Sequence, residues 1–136
     1  MSLFIDTSVW SHALRRDSVG SAPEVIRLRE ALASQEAVYT TGLVLQELLQ
    51  GFRGAKAHDA IVARFAALPT IVPERDDHVA AADIRNTCRR QGVQLGTIDA
   101  LLVRLCLHHD LEILTTDRDF QHAARHTRLR IWHPPQ

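Results

Sequence analysis

The chain of 136 residues is expected to fold as one α/β domain over residues 1–136, a twisted, mostly parallel sheet with helices on both sides. Three observations lead there. Short apolar runs alternate with longer segments whose apolar residues recur at helical spacing. The first run, Leu3-Phe4-Ile5, shows no polar alternation, the pattern of a strand covered on both faces. No internal repeat, low-complexity stretch or linker divides the sequence, and its length suffices for a single core.

The first strand stops at Asp6, and Thr7 or Ser8 can N-cap a first helix running from about Val9 to Leu14. Residues 15–23 read as a polar loop carrying Asp17, Ser18, Gly20 and Ser21. Pro23 suits the first turn of a second helix over residues 24–33, whose Val25, Leu28 and Leu32 share a side. Residues 37–40 read as a second strand, after which Thr41-Gly42 opens a helix over residues 43–50 that ends at Gly51. A helix over about residues 57–68 precedes Pro69 and a short strand at 71–72. Asp76 and Asp77 favour the start of the next helix, expected over residues 79–90 and terminated by Gly92. Thr97 caps another, with Ile98, Leu101, Leu102, Leu105 and His109 at helical spacing. Residues 112–116 read as a strand, 119–124 as a short helix and 129–132 as the closing strand before Pro134 and Pro135.

Composition narrows the function. Apolar and charged fractions of 46% and 24% are those of an ordinary soluble globular protein. Sixteen basic and sixteen acidic residues leave no bulk field to draw the chain to nucleic acid or membrane. Lys56 is the only lysine, and the arginines that make up the rest suit bidentate phosphate contact. No apolar run reaches membrane-spanning length, and the first is too short for a secretory leader, so the expected compartment is the cytoplasm. Cys88 and Cys106 lie in apolar helical patterns without metal-type spacing and read as reduced core thiols.

Four acidic residues stand where a solvated surface charge is not expected. Asp6 closes the first strand, and in an open parallel sheet ligands bind at that edge. Glu47 lies inside an apolar helix, a turn after Leu43-Val44 and a turn before Gly51. Asp99 falls in the first turn after Thr97, beside the apolar stripe of its helix, and Asp117 follows the Ile113-Leu114 strand. Singly, each has a plain structural reading: a turn or cap for Asp6, an arginine partner for Glu47, the helix dipole for Asp99, paired caps for Asp117 and Asp119. Jointly, two strand ends and two helical segments can converge on one pocket, where crowded carboxylates repel unless a cation or a proton neutralises them. Oxygen-only donors point to Mg²⁺ or Mn²⁺, since zinc wants histidine or cysteine in the set. Such a site supports metal-assisted hydrolysis of a phosphodiester. Thr7, Ser8, Thr115 and Thr116 are hydroxyls suited to orienting the carboxylates as well as to capping helices.

The segments Phe4-Ile5-Asp6-Thr7-Ser8-Val9, Glu47-Leu48-Leu49-Gln50-Gly51, Thr97-Ile98-Asp99-Ala100-Leu101 and Thr115-Thr116-Asp117-Arg118-Asp119-Phe120 follow the order and spacing of PIN-domain ribonucleases. Over essentially its whole length the chain resembles the VapC toxins of the VapBC toxin–antitoxin systems of bacteria and archaea. The resemblance implies a PIN-like sheet, a homodimer, and a Mg²⁺- or Mn²⁺-dependent endonuclease that cuts RNA to leave 5′-phosphate and 3′-hydroxyl ends. It implies Asp6, Glu47, Asp99 and Asp117 as the catalytic, metal-binding acids, with Ser8, Thr115 and Asp119 auxiliary. The partner implied is a small VapB antitoxin, whose tail covers the toxin's active site and whose dimerisation region, not this chain, contacts operator DNA.

RNA approaching an acidic pocket needs flanking cations. Arg15, Arg16, Arg53 and Arg85 are the candidates, with Arg89 and Arg90 behind them, against the plain reading of each as a solvated residue. The eight histidines include His122 and His126 four apart and the adjoining His108-His109, but nothing supplies a third zinc ligand, so they read as surface or helix-end residues. Trp10 and Trp132 can stack on bases, yet their apolar settings fit core or dimer contacts. Rival classes fit less well: a phosphatase of the haloacid dehalogenase type needs an aspartate where Ser8 stands, and a receiver domain needs a lysine after a late strand. A non-catalytic PIN-like module binding RNA or protein is the remaining alternative, and the retention of all four acids stands against it.

Overall fold

The computed structural model describes residues 2–15 and 22–136, so most of the polar loop and Arg16 lie outside the described residues. The chain runs β1 (Leu3–Ile5), α1 (Thr7–Leu14), α2 (Pro23–Ala33), β2 (Val38–Thr41), α3 (Gly42–Gly51), α4 (Ala55–Ala66), β3 (Thr70–Ile71), α5 (Arg75–Arg90), α6 (Thr97–His108), β4 (Glu112–Leu114), α7 (Arg118–Ala124) and β5 (Arg130–Ile131). All pairings are parallel, in the order β3-β2-β1-β4-β5. β1 is central, with Phe4 opposite Tyr39 of β2 on one side and Ile113 of β4 on the other. A middle strand under two helical layers has no solvent face, which is why Leu3, Phe4 and Ile5 are all fully buried.

The chain lays down β1, β2 and β3 outward in one direction, then crosses back to add β4 and β5 on the other side. Strand order therefore reverses between β1 and β4, and a crevice opens at their carboxyl ends. Right-handed crossovers put α1 to α4 on one face and α5 to α7 on the other. The packing agrees: α1 lies against α2 and α3, α3 against α4, and α5 against α6.

Element kinds follow the sequence expectation, while several ends differ for local reasons. Asp6, not Thr7 or Ser8, holds the N-cap of α1 in an extended conformation, and both hydroxyls lie inside the helix bonded to acids. Gly96 rather than Thr97 is the N-cap of α6. α5 starts a turn before its apolar periodicity becomes visible, because Asp77 accepts the Glu74 amide at 2.9 Å and closes a polar first turn. Its other end is as expected. Gly92 at φ +79° lets its own amide reach the Arg89 carbonyl at 3.0 Å and the Val93 amide reach that of Cys88 at 2.8 Å. β4 stops at Leu114, since Thr115 turns its hydroxyl to the site described next.

The core builds outward from the sheet through Val9 and Trp10 of α1, Val44 and Leu48 of α3, Leu102 and Leu105 of α6, and Phe120 of α7. Each such side chain contributes about 2 kcal/mol by leaving water. Trp10 packs on Phe65 of α4 with ring centroids 4.9 Å apart, a core role, and Trp132 is half-buried against the same core. Cys88 and Cys106 are buried free thiols. No helix among the described residues is long and apolar enough to cross a membrane.

Candidate active site

The site forms where β1 and β4 end side by side. The Asp6 amide donates to the Leu114 carbonyl at 3.0 Å, which joins the residue after β1 to the last residue of β4. Asp6 and the segment Thr115 to Asp117 therefore share one edge of the sheet. α3 starts directly after β2 and carries Glu47 in its second turn, and Asp99 lies in the first turn of α6.

Hydroxyls hold the acids. Ser8 Oγ donates to Asp6 Oδ2 at 2.7 Å, and Thr115 Oγ1 donates to the same oxygen at 2.9 Å. Each hydroxyl has one proton, and backbone amides decide where it goes. The Thr116 amide donates to Ser8 Oγ at 3.1 Å and the Asp117 amide to Thr115 Oγ1 at 3.0 Å, so both hydroxyl protons are left to Asp6. Thr7 Oγ1 donates to Glu47 Oε1 at 2.9 Å, and the Asp119 amide donates to Asp117 Oδ1 at 2.9 Å, which makes Asp117 the N-cap of α7. For Glu47 and Asp117 these bonds engage one oxygen and leave the other to a cation or a water. The capping reading of Asp117 is right and coexists with its place in the site.

The electrostatics are adverse. Asp99, Asp117 and Asp119 each bring a carboxylate oxygen within 4.8 Å of the others. Two charges at that distance repel by roughly 3 kcal/mol at an effective permittivity of about 20. Burial, followed by repulsion from Asp6, Asp117, Glu47 and Asp119, pushes the Asp99 carboxyl up to about 7. Burial also raises Asp6, against the opposing effect of the Ser8 and Thr115 hydroxyls. The four sequence-selected acids thus do meet, with Asp99 feeling all the others. Asp119, ranked as auxiliary from the sequence, belongs to the compact three-carboxylate group, whereas Asp6 and Glu47 stand outside it. That group has neither His nor Cys, and an all-oxygen donor set suits a hard divalent cation.

The arginine candidates are dispersed. Arg15 is exposed at the end of α1, Arg53 is exposed in the turn between α3 and α4, and Arg85 on α5 donates its Nε to the Leu95 carbonyl at 3.0 Å. One cluster was missed in the sequence. Buried Asp77 accepts Arg104 Nε and His108 Nδ1, each at 2.9 Å, from α6. The Glu74 amide above all, then His108 and Arg104, holds the Asp77 carboxyl well below the usual carboxylate range despite its burial. Arg104 and His108 are one turn apart on α6, a spacing visible in the sequence, but nothing local announced an acid on α5 as their partner.

The PIN-domain family model matches residues 3–126. Ribonuclease VapC11 of Mycobacterium tuberculosis is 32% identical over 130 residues, covering 94% of this chain and 96% of that protein. VapC ribonuclease Mb1587 of Mycobacterium bovis matches with the same figures of 32%, 94% and 96%. Among solved structures, VapBC2 from Rickettsia felis bound to a promoter DNA fragment superposes with a TM-score of 0.75 at 17% identity, over 97% of this chain and 98% of that one. The Mycobacterium tuberculosis toxin VapC20, described as cleaving the sarcin-ricin loop, gives 0.68 at 22% identity over 94% and 98%. These two likenesses show the fold. The chain belongs to the PIN-domain family and, within it, to the VapC ribonucleases.

Proposed function

We propose that this protein is an RNA endonuclease dependent on Mg²⁺ or Mn²⁺, the toxin of a toxin–antitoxin pair. The observation that carries the reading is the convergence of Asp6, Glu47, Asp117 and Asp119 on Asp99 at the reversal of strand order. Asp99, Asp117 and Asp119 would hold the cation, with Asp6 and Glu47 completing the acidic wall. A bound divalent ion supplies Lewis acidity, lowering the pKa of water and offsetting charge on a phosphodiester. Ser8 and Thr115 set the Asp6 carboxylate before substrate arrives, and Thr7 does the same for Glu47. Neutralising the cluster draws Asp99 back to its ionised form, so cation uptake releases a proton.

RNA as the substrate and a VapB-type antitoxin as the partner are carried over from what the similar proteins are named for. With a formal charge of zero, contact with DNA is left to the antitoxin. The compartment is the cytoplasm, where such RNA and such a partner are found together. A second copy of the chain covers the face where Val79 is 58% and Ile98 38% exposed. Val79 lies on α5 and Ile98 on α6, and Ile98 lines a groove of about 410 Å³ together with Leu43, Ala82 and Leu101.

The test is cleavage of total bacterial RNA by purified protein in Mg²⁺, in Mn²⁺ and in excess chelator, with Asp6→Asn and Asp117→Asn purified in parallel. The expected result is discrete, metal-requiring fragments with 5′-phosphate ends, reduced about a hundredfold or more in both variants. Full activity in either variant removes that residue from the catalytic set. No cleavage of any RNA by folded, antitoxin-free protein overturns the enzyme reading in favour of a binding module.

A further inference from the structure

A second concave surface lies at the far ends of the two helices that bear Asp6 and Glu47. α1 starts at Asp6 and ends at Leu14, while α3 carries Glu47 and ends at Gly51. Between those ends and the start of α4 runs a groove of about 550 Å³, with Leu14, Phe52 and Ile61 in its wall and Arg15, Arg53 and Lys56 around it. At a rise of 1.5 Å per residue, it opens about 12 Å along α1 from Asp6 and about 6 Å along α3 from Glu47.

Charge and shape single this groove out. Among the described residues its lining contains three cations and no acid, in a chain whose basic and acidic residues are equal in number. Three arginines elsewhere are ion-paired, Arg27 to Glu36, Arg104 to Asp77 and Arg130 to Asp110. Among the described residues no ion pair engages Arg53 or Lys56, and both are exposed. Gly54, at φ +94°, takes a backbone conformation that favours glycine and turns the chain from α3 into α4, with Phe52 and Arg53 in the groove lining. Phe52 packs partly against the core and keeps the rest of its ring surface open.

Cations that take phosphate oxygens, beside an aromatic ring that takes a base face, are what a single nucleic-acid strand requires of a binding groove. A polyanion crossing an acid cluster also needs positive charge next to it. We propose that this groove is a subsite for the RNA strand, holding a nucleotide about one or two positions from the cleaved bond. Arg53 and Lys56 bind its phosphate and Phe52 stacks on its base. The proposal rests on the RNA endonuclease reading above and adds Lys56 and Phe52 to it. An acidic, apolar segment of a partner protein would meet the same cations. The partly open aromatic ring beside those cations, at the ends of the helices that bear Asp6 and Glu47, favours RNA.

The experiment uses the full chain with Asp117→Asn as the parent, so that RNA stays intact in Mg²⁺. Binding of a labelled random-sequence single-stranded RNA 12-mer is followed by fluorescence anisotropy at several salt concentrations. The variants are Arg53→Ala with Lys56→Ala, Phe52→Leu, and Arg128→Ala outside the groove, each checked for an unchanged thermal midpoint. The double variant is expected to lose affinity and to lower the slope of log affinity against log salt by about one. Phe52→Leu is expected to weaken binding about fivefold with the slope retained, and Arg128→Ala to change neither. Parental affinity and slope in both groove variants overturn the subsite, and cleavage by the wild-type chain then leaves the endonuclease reading standing. Loss of binding to an acidic leucine-rich peptide in the double variant, with RNA binding unchanged, gives the groove to a protein partner and also overturns it. RNA that binds no form of the protein and is cut by none overturns both readings.

Discussion

Asp99 carries a charge that its surroundings oppose, and the consequence is a measurable pH dependence. Its folded value of about 7 lies above the 3.8 of an unperturbed aspartate, so the folded state holds the proton more tightly than the unfolded chain. The resulting stability is fully present below pH 4 and is lost as pH rises through about 7. Asp6 is shifted in the same direction and adds to it. Metal-free protein should therefore melt lower at pH 8 than at pH 5, and Mn²⁺ should raise the midpoint more at pH 8. Asp99→Asn should flatten the profile; parallel profiles for variant and wild type would count against the assignment. Trp10 poses a different question. Its Nε1 is buried without a partner among the described residues, a situation that costs about 1–3 kcal/mol. Trp10→Phe removes that penalty along with some packing, so its unfolding free energy should stay within about 1 kcal/mol of wild type, against a loss of about 3–5 kcal/mol for Trp10→Ala.

At the scale of elements, Asp77 links α5 to α6. It closes the first turn of α5 through the Glu74 amide and binds Arg104 and His108 across the helix pair. Asp77→Ala removes a cap worth about 1 kcal/mol and strips Arg104 of its carboxylate, for a combined loss of about 3 kcal/mol. Urea denaturation should show a lower midpoint with the slope unchanged. Because the Asp77 carboxyl is held low, its contribution is present at neutral pH and disappears only in strong acid, clear of the Asp99 window. Element kinds were legible because apolar spacing reports them directly. Helix starts were less so: Asp6 and Gly96, rather than Thr7 and Thr97, became the caps, and the Thr7 hydroxyl went to Glu47, forty residues away, which only folding brings near.

For the whole molecule, the order β3-β2-β1-β4-β5 decides where chemistry can happen. It sets the ends of β1 and β4 together, with α3 and α6 leaning over them, and leaves apolar surface on α5 and α6. If that surface seats a second copy, Ile98→Asp with Val79→Asp should convert a dimer to a monomer in light scattering. A wild-type monomer at tens of micromolar, or an unaltered dimer in the variant, would place the contact elsewhere.

Much of the protein was readable before any geometry. The alternation of strand and helix, the buried first strand, the thiols in the core and the four spaced acids follow from local spacing, because periodicity reports which face an element buries. The PIN-domain motifs rest instead on their resemblance to that family. Tertiary structure alone decided that Asp119 joins Asp99 and Asp117, that the Ser8 and Thr115 protons both serve Asp6, that Asp77 is paired from another helix, and that Arg53 and Lys56 share a groove with Phe52. Thr115 with Asp6, Asp99 with Asp117 and Asp119, and Asp77 with Arg104 and His108 are relations between residues on different elements. Spacing along one element shows which way a side chain faces, and only the packed sheet and helices determine what stands opposite it.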